Sequence, residues 1–596
     1  MTPYTASTRD MQFVTNELAG LADVAALPAF TGQDVGPELV EAVLEEAAKL
    51  AAEVLAPLSH VGDVQGAKLG PHGVILADGF AEAYRKFVEG GWNGVGCPAE
   101  YGGQGLPELI GVATQEMWHS ANTAFALCPL LTASAIEAIL RSGSAEQKAF
   151  YLPKMVSGEW TGAMSLTESQ AGSDLSAVRT RAVPEGDHYR IFGQKIFITW
   201  AEHDMTENTI NLVLARTPDA PEGVKGISLF IVPKFLVNPD GSLGARNDVH
   251  AVSIEHKLGI HASPTCVMAF GDRDGAVGYL VGEENKGLAY MFIMMNEARF
   301  KVGVQGVAIG ERAYQAAREY AKDRVQGRPI GVKSGDRVTI IHHPDVRRML
   351  MSMKAQNEAM RALAYVVAKH MDLARHHPDP AVRESHQARV DLLIPVVKGW
   401  CTETGIEVAS LGVQVHGGMG YIEEAGACQH LRDSRIATIY EGTTGIQAAD
   451  LAGRKLSMDQ GAAMRALLAE IEATASDLAQ AAGDDLAAIG AGLAEGVKAL
   501  AEATAWMLDA TDPAAVMAVS VDYLMLAGTV CGAWQMGRAA RVAQRKLSAG
   551  EDPVFHEAKL ITARFYAEHV LPRASALLRS VLNGGASILA LTEEQF

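Results

Sequence analysis

Apolar residues recur with the helical period over the first part of the chain. From Pro37 they return at every third or fourth position until Pro57 ends the pattern. Further helical segments follow at residues 80–88, 109–118 and 133–140. The glycine-rich residues 97–106 interrupt them, and such a segment is most often a plain loop. We therefore predict an irregular lead up to about Gly36 and an N-terminal helical domain after it.

The pattern changes after about Trp160, where short runs of β-branched and aromatic residues replace the helical period. These runs lie at residues 189–192, 196–199, 210–215, 227–232 and 266–270. Turn residues such as Pro184 and Gly186 separate them, so the segment is typical of an antiparallel β-domain. None of the runs leads into a helix that begins with G-x-G-x-x-G, so a nicotinamide-type Rossmann module is not indicated.

The helical period returns over long segments from about residue 287 to residue 451. Gly303, Gly306 and Gly310 recur there on a spacing that allows close helix packing. An alanine-rich helical stretch follows from about Met458 to the end. The predicted fold class is α+β and mainly α, with a middle β-domain and an additional C-terminal helical domain. The predicted boundaries are 1–36, 37–160, 161–284, 285–455 and 456–596.

Composition narrows the class of protein. At about 150 residues per domain, 596 residues predict two to four domains. No stretch reaches the roughly 20 apolar residues of a membrane span, so none is expected. The net charge of -19 argues against nucleic-acid binding, because phosphate neutralisation needs clustered Lys and Arg. Six dispersed cysteines without a CxxC pair, and an N-terminus without a secretory signal, predict a cytoplasmic protein with no zinc site.

One carboxylate in the last third of the chain is a candidate catalytic base. Glu441 lies between the aromatic Tyr440 and the turn Gly442-Thr443-Thr444. Loss of water disfavours the charged form of a carboxylate, and this raises its pKa toward the range useful for proton abstraction. The alternative is structural, because Gly442, Thr443 and Thr444 also suit the start of a helix.

Other segments could hold a cofactor. Residues 164–174 combine hydroxyls with small residues, so their backbone could approach a planar ring or a phosphate, although a polar turn explains them equally well. Residues 195–199 place a hydroxyl beside an aromatic at the end of a plausible strand. A glycine turn at residues 414–421 and the cation Arg324 could contact a diphosphate or be structural. The pair His342-His343 has no further ligand nearby, so a metal site is not expected.

In order along the chain, these segments resemble the acyl-CoA dehydrogenase family over about residues 37–451. The shared motifs are Tyr101-Gly102-Gly103-Gln104-Gly105-Leu106, Thr167-Glu168 with Ala171-Gly172-Ser173-Asp174, Phe197-Ile198-Thr199, Arg324, Gln414 with Gly417-Gly418, Leu431-Arg432-Asp433 and Tyr440-Glu441-Gly442-Thr443. The resemblance implies an FAD enzyme that oxidises the α,β bond of an acyl-CoA to the trans-2-enoyl-CoA. It also implies an electron-transfer flavoprotein as the electron acceptor.

The resemblance also implies residue roles by position. The flavin ring would be lined by Met164, Ser165, Leu166, Thr167, Gly172, Ser173, Phe197, Ile198 and Thr199. The rest of FAD would be contacted by Arg324, Gln414, Gly417, Gly418, Thr443 and Thr444, some of them across a subunit boundary. The acyl-CoA would be contacted by Ser173, Arg299, Tyr440 and Gly442. Glu441 would remove the α-proton, and its backbone N–H would polarise the thioester carbonyl together with a ribityl hydroxyl of FAD.

Some positions depart from the family pattern. In some members the base lies just before the arginine that matches Arg299, where this chain has Ala298 and places Glu297 one step earlier. One step along a helix turns a side chain by about 100°, so Glu441 is preferred as the base. The other departures are Phe197 where tryptophan is common, Ser169-Gln170 where Pro-Gly is common, and Gly445 where glutamine is frequent.

The lead and the additional domain resemble a long bacterial branch of the family. Its substrates include 3-(methylthio)propanoyl-CoA and straight medium and long acyl chains, and the additional domain implies a homodimer. An acyl-CoA oxidase, in which oxygen reaches the flavin, stays open as an alternative. A non-enzymatic DNA-binding relative would need a basic C-terminal surface, whereas residues 458–596 contain more acidic than basic residues. A nitroalkane oxidase would have aspartate at position 441.

Overall fold

The structure is a computed structural model that describes residues 3–596. The chain forms two compact units. The first unit contains the chain up to Ala48, Pro107–Ser120 and Arg299–Phe596, and the second contains Lys49–Leu106 and Ala121–Ala298. The five domain boundaries given from the sequence stay predictions.

The lead is helical rather than irregular, so the sequence prediction for it was wrong. It contains two short helices, α1 (Thr8–Phe13) and α2 (Leu21–Ala25), with a π-helical turn at Val14–Ala19 between them. Met11 and Phe13 are buried, and Asp10 pairs with Arg361 and Lys559. Helices this short do not form from local sequence alone, so these tertiary contacts stabilise them.

Five helices follow the lead, mostly where the apolar pattern predicts them. They are α3 (Pro37–Leu50), α4 (Ala56–Gln65), α5 (Phe80–Glu89), α6 (Glu108–Ser142) and α7 (Ala145–Ser157). A capping box between Ser144 and Gln147 begins α7. Helix α6 is long and apolar enough to cross a membrane by length and composition, and 83% of its most apolar window is buried, as in the core helix of a folded domain.

Residues 3–596 contain twelve strands; β1 and β2 form a small sheet between α4 and α5, and the other ten follow α7, eight of them in one large sheet. The strands are β1 (Lys68–Gly70), β2 (Gly73–Ile75), β3 (Trp160–Ser165), β4 (Arg181–Glu185), β5 (His188–Thr199), β6 (Asn208–Ala215), β7 (Ser228–Pro233), β8 (Phe235–Val237), β9 (Leu243–Arg246), β10 (Val249–Ile254), β11 (Thr265–Phe270) and β12 (Ala276–Leu280). The large sheet has the order β10-β11-β5-β12-β7-β6-β3, and β4 pairs with β5. Its strands pair antiparallel except β3 with β6, which are parallel. Ile191, Phe230 and Phe270 lie in its core.

Long helices return after the sheet. They are α8 (Gly287–Asp323), α9 (Pro344–His376), α10 (Pro380–His416), α11 (Ala427–Ser434) and α12 (Thr444–Ala449). A Cβ atom at Gly306 would lie 2.2 Å from the carbonyl oxygen of Cys401, and one at Gly303 would lie 2.8 Å from that of Val397. Helices α8 and α10 therefore approach each other closely, and this confirms the packing role predicted for these glycines.

The last region is an additional helical domain, as predicted. Its helices are α13 (Leu456–Met458), α14 (Ala462–Gln480), α15 (Asp484–Asp509), α16 (Pro513–Ala518), α17 (Ser520–Ser548), α18 (Pro553–Phe565), α19 (Arg573–Asn583) and α20 (Gly585–Ile588). Helix α17 packs on α10, where a Cβ atom at Gly528 would lie 2.1 Å from the ring of Trp400. The predicted fold class, mainly α with a middle β-domain, is confirmed.

Candidate active site

Glu441 lies on a tight turn immediately before α12. Its φ angle is 54° and that of Gly442 is 89°, so two successive residues adopt the left-handed conformation. A non-glycine residue in this conformation is uncommon and points to a constraint on the backbone. The side chain of Glu441 is half-buried. Burial raises the pKa of Glu441 above its ordinary value, and the positive charges of Arg299 and Lys398 oppose that rise.

Side chains from α10 and α12 hold the carbonyl groups of this turn. Lys398 donates from Nζ to the carbonyl oxygen of Gly442 over 2.6 Å. Gln447 donates from Nε2 to the same oxygen over 3.3 Å and to the carbonyl oxygen of Glu441 over 3.4 Å. On the N-terminal side, the hydroxyl of Tyr440 donates to Oε1 of the buried Gln305. The backbone around Glu441 is thus fixed from both sides.

Gly442 is the residue that this turn requires. A Cβ atom there would lie 2.7 Å from Nε2 of Gln447 and 3.3 Å from the side chain of Ile446. Its φ of 89° is also one that L side chains rarely adopt. The backbone conformation therefore selects glycine at this position, and an added Cβ atom would also displace the amide of Gln447 that holds the turn.

The two threonines after Gly442 have structural partners within the first unit. Thr443 is the N-cap of α12, because its Oγ1 accepts from the backbone N–H of Ile446 over 3.2 Å. Thr444 is buried and donates from Oγ1 to Oε1 of Glu403 over 2.6 Å. The helix-capping alternative is therefore correct for Thr443. The FAD contacts expected of both threonines stay predictions.

Arg299 is a buried cation in the same unit as Glu441. Its Nη1 lies 3.7 Å from Oδ2 of Asp450, and burial lowers the pKa of Arg299 while Asp450 and Glu441 oppose that effect. Within residues 3–596, its buried Nε has no hydrogen-bond partner. A buried, unsatisfied guanidinium donor fits a residue that contacts a ligand, as expected for an acyl-CoA.

The segment expected beside the flavin ring begins at the end of β3. Met164 and Ser165 are buried in that strand, and the half-buried Leu166 and Thr167 follow it. The carbonyl oxygen of Leu166 accepts from Nζ of Lys195 over 2.9 Å, and that of Thr167 accepts from the N–H of Ile196. This segment is therefore attached to β5, the strand that contains the second expected group of flavin contacts.

The hydroxyl and glycine positions after this segment are uncovered in the second unit. Gly172 and Ser173 are exposed, and a Cβ atom at Gly172 would have no neighbour within 4 Å. At the end of β5, Phe197 is 59% exposed with a φ of 60°, whereas Ile198 is buried and Thr199 half-buried. An uncovered aromatic ring beside exposed backbone fits the binding of a planar cofactor ring.

Four expected FAD contacts lie at the C-terminal ends of two helices. Arg324 directly follows α8, and Gln414 is in the last turn of α10, before Gly417 and Gly418. All four are exposed, and a Cβ atom at either glycine would meet nothing within 4 Å. This open position is compatible with the expectation that some of them serve a neighbouring subunit, which stays a prediction.

The sequence did not single out two buried lysines that hold site backbone. Lys195 in β5 and Lys398 in α10 are both fully buried. Lys195 directly precedes the apolar residues 196–198, and Lys398 directly follows the apolar residues 394–397. A charge at the edge of such a run is the signal that could have identified them. The rival position for the base, just before Arg299, is occupied by Ala298. Ala298 and its neighbour Glu297 both lie in α8, and both are buried.

Known families match most of this chain. The profile described as Acyl-CoA dehydrogenase, N-terminal domain, matches residues 37–159, the middle domain matches 163–273 and the C-terminal domain matches 285–456. A profile described as Acetyl-CoA dehydrogenase C-terminal like matches residues 467–592. The chain therefore belongs to the acyl-CoA dehydrogenase family.

Individual relatives match over most of their length. The chain is 49% identical to the 3-methylmercaptopropionyl-CoA dehydrogenase of Ruegeria pomeroyi, over 98% of this chain and 99% of that protein. A solved acyl-CoA dehydrogenase complexed with FAD from Bacillus anthracis has a TM-score of 0.71 at 21% identity, over 97% of this chain and 92% of that one, and shares the fold.

A second solved structure comes from a study of the electron transferring flavoprotein of Acidaminococcus fermentans. It has a TM-score of 0.57 at 27% identity, over 69% of this chain and 96% of that chain. With the family established, FAD is the cofactor, and the protein is an oxidoreductase that acts on the CH–CH bond of an acyl-CoA.

Proposed function

We propose that this protein dehydrogenates the α,β bond of an acyl-CoA to the trans-2-enoyl-CoA, with Glu441 as the base. The observation that supports this proposal is a carboxylate with a raised pKa on a left-handed turn, beside the cations Arg299 and Lys398. A raised pKa brings a carboxylate closer to the basicity that proton abstraction from carbon needs. The turn restricts the positions that this base can adopt.

Abstraction of the α-proton also needs stabilisation of the thioester oxygen. The α-proton of a thioester is too weakly acidic for a carboxylate in water, and negative charge develops on the carbonyl oxygen as the proton leaves. We infer that the backbone N–H of Glu441 donates to this oxygen, and a ribityl hydroxyl of bound FAD would supply a second donor. The hydrogen bonds from Lys398 and Gln447 to the turn support this role, because they restrict the backbone that presents the N–H.

The chain would hold FAD through two groups of residues. Thr167, Ser173, Phe197 and Thr199 in the second unit would contact the ring, and Arg324 and Gln414 would contact the rest of the cofactor. When bound, FAD supplies the acceptor for the hydride that leaves the β-carbon. The protein's residues orient the thioester, exclude water and receive the α-proton at the Glu441 carboxylate. Water exclusion strengthens the hydrogen bonds to the thioester oxygen.

For the substrate, 3-(methylthio)propanoyl-CoA is the first candidate. The name of the Ruegeria pomeroyi relative supports it, since that protein is 49% identical over nearly the whole chain. Straight medium and long acyl chains are the second candidate.

We further propose an electron-transfer flavoprotein as the electron acceptor, a homodimer as the assembly and the cytoplasm as the location.

A substrate comparison tests this function. The FAD-loaded protein is mixed without oxygen with the methylthiopropanoyl, butanoyl, octanoyl or palmitoyl thioester, and the visible absorbance of the flavin is followed. We expect bleaching, formation of the 2-enoyl thioester and the highest kcat/KM with the methylthio substrate. Absence of bleaching with every thioester would refute the proposal.

The electron acceptor is tested with the same reduced protein. We expect an electron-transfer flavoprotein to restore the flavin absorbance much faster than dissolved oxygen does. Rapid oxygen consumption with formation of hydrogen peroxide would instead identify an acyl-CoA oxidase.

A further inference from the structure

Lys398 is a buried cation next to the candidate base. It lies in the middle of α10, between the apolar segments around Val397 and Trp400, and its side chain has no exposed surface. Its Nζ donates to the carbonyl oxygen of Gly442 over 2.6 Å, one residue after Glu441. An ammonium group without water is costly to a fold, so an apolar residue would serve packing better at this position.

The charges around Lys398 come from three elements. Glu441 on the turn and Glu403 on α10 favour its charged form, and Arg299 on α8 disfavours it. Burial is the largest effect, and it lowers the pKa of Lys398 to about 8. The carboxylate of Glu441 responds to the same two cations, Arg299 and Lys398. Lys398 therefore acts on Glu441 by charge and on the adjacent peptide by a hydrogen bond.

The opposite side of α10 is held by the additional C-terminal domain. A Cβ atom at Gly399 would lie 2.8 Å from Leu524 in α17, and Gly528 of α17 makes room for the ring of Trp400. Gly399 and Trp400 are the next two residues after Lys398 in the sequence. The turn of helix that contains Lys398 is thus fixed between α17 and the segment of Glu441, and this restricts movement of its ammonium group.

We propose that Lys398 is a positioning residue for Glu441, which holds the left-handed turn through the Gly442 carbonyl and maintains a positive charge beside the carboxylate. The inference rests on the proposed function, since it assigns Lys398 a role toward the base of that reaction. Lys398 transfers no proton to the substrate in this account. Its effect is on the geometry of the turn and on the pH range in which Glu441 is ionised.

The test compares Lys398→Met and Lys398→Gln with Lys398→Arg. Lys398→Met and Lys398→Gln both remove the positive charge, and Lys398→Gln retains a hydrogen-bond donor. Either variant tests the proposal as long as it folds. Loss of a neighbouring cation raises the pKa of a carboxylate, so we expect the acid limb of the kcat/KM profile to move up by about one pH unit in both. We expect Lys398→Arg to return the limb toward its original position, with FAD content unchanged in all three.

A second readout does not depend on turnover. Infrared spectra across a pH series report the carbonyl stretch of the protonated Glu441 carboxyl, which is identified by its disappearance in Glu441→Gln. We expect the pH at which this band reaches half of its intensity to rise in Lys398→Met. The rise should equal the shift of the acid limb of the kcat/KM profile. Lys369→Met is the matched control, because Lys369 on α9 pairs with Asp23 and is not among the charges that act on Glu441.

The outcomes separate this inference from the proposed function. If the band midpoint and the acid limb stay unchanged in Lys398→Met and Lys398→Gln, Lys398 is a structural residue and the inference is wrong. A shift of equal size in Lys369→Met would also overturn it. If Glu441→Gln retains full turnover, the proposed base fails whatever the Lys398 variants do.

Discussion

At the residue scale, the turn at Glu441 and Gly442 places two successive residues at positive φ, which is strained for Glu441 and accessible to glycine. A left-handed conformation costs an L residue roughly 1–2 kcal/mol, and Glu441 adopts it with a φ of 54°. Hydrogen bonds from Lys398 and Gln447 to the two carbonyls offset this cost. Strain of this kind persists where surrounding contacts determine the backbone, and here it fixes the direction of the base.

Replacement of Gly442 by alanine tests the importance of this turn. The added Cβ atom would lie 2.7 Å from Gln447 Nε2 and would be strained at a φ of 89°, so the turn or the Gln447 amide that holds it has to move. We expect flavin reduction by the substrate to slow by about 100-fold, the cost of a displacement of roughly 1 Å at a reacting group. Stopped-flow measurement under anaerobic conditions reads this rate.

Gly445→Ala provides the control for that variant. Gly445 is exposed within α12, and the nearest neighbour of its added Cβ atom would be Oγ1 of Thr443 at 3.7 Å. We expect its reduction rate to equal that of the unmodified protein. Equal rates in Gly442→Ala and Gly445→Ala would show that the turn geometry has no catalytic importance.

At the element scale, β3 and β5 are joined through one buried ion pair. Glu168 follows β3 and accepts from Lys195 in β5 over 2.8 Å, and it also accepts from Thr180 and the N–H of Arg179. Burial alone would raise the pKa of Glu168, but Lys195 and these hydrogen bonds lower it to about 2. The pair thereby fixes the loop of Leu166 and Thr167 against β5, the strand that contains Phe197.

Glu168→Gln tests whether this pair supports the flavin loop. The change leaves Lys195 buried without its counter-charge, and breaking a buried pair in this way costs about 3 kcal/mol. We expect a lower Tm and a higher Kd for FAD, measured by thermal unfolding and by flavin fluorescence. Glu185→Gln removes an exposed pair with Arg190 in the same sheet, and there we expect almost no change in either quantity.

The pH dependence of stability follows from the same carboxylate. The folded pKa of Glu168 is about 2, below its ordinary value of 4.5, so the folded state favours the ionised form. The resulting stability is present above pH 4.5 and is lost as the pH falls from 4.5 toward 2. We therefore expect the Tm difference between the unmodified protein and Glu168→Gln to shrink over this interval. A constant difference would contradict the assignment.

Helical and strand periodicity predicted most elements, because each long element buries one face that repeats in the sequence. The lead at Thr8–Phe13 was missed because its burial depends on distant partners such as Arg361. The parallel pairing of β3 with β6 depends on topology, which a single sequence does not specify. For the site, motif order indicated Glu441, whereas the lysines at 195 and 398 act through contacts distant in sequence.

At the scale of the whole molecule, buried ion pairs link the lead and the additional domain to the long helices. Arg361 in α9 pairs with Asp10 of α1 and with Glu116 of α6. Lys559 in α18 pairs with Asp10 and, over 2.9 Å, with Glu358 of α9. Since the carboxylate of Asp10 joins the two cations, the lead and the additional domain stabilise the same part of α9.

Lys559→Met tests this linkage. The change leaves the half-buried Asp10 and the buried Glu358 with fewer cations, so we expect a clear loss of Tm, equivalent to about 3 kcal/mol. We expect turnover per bound flavin to stay unchanged, because Lys559 lies outside the candidate site. The control is Lys546→Met, whose half-exposed partners Glu17 and Glu551 remain hydrated. An equal loss of Tm in the two variants would contradict a specific role for Lys559.

The central claim is that Glu441 removes the α-proton of an acyl-CoA. The most direct measurement mixes substrate deuterated at the α-carbon with the FAD-loaded protein and with Glu441→Gln, and follows both flavin absorbance and release of deuterium to water. We predict a primary isotope effect and rapid deuterium release in the unmodified protein. In Glu441→Gln we predict neither bleaching nor release, with FAD still bound. Deuterium release at an unchanged rate in Glu441→Gln would contradict the account.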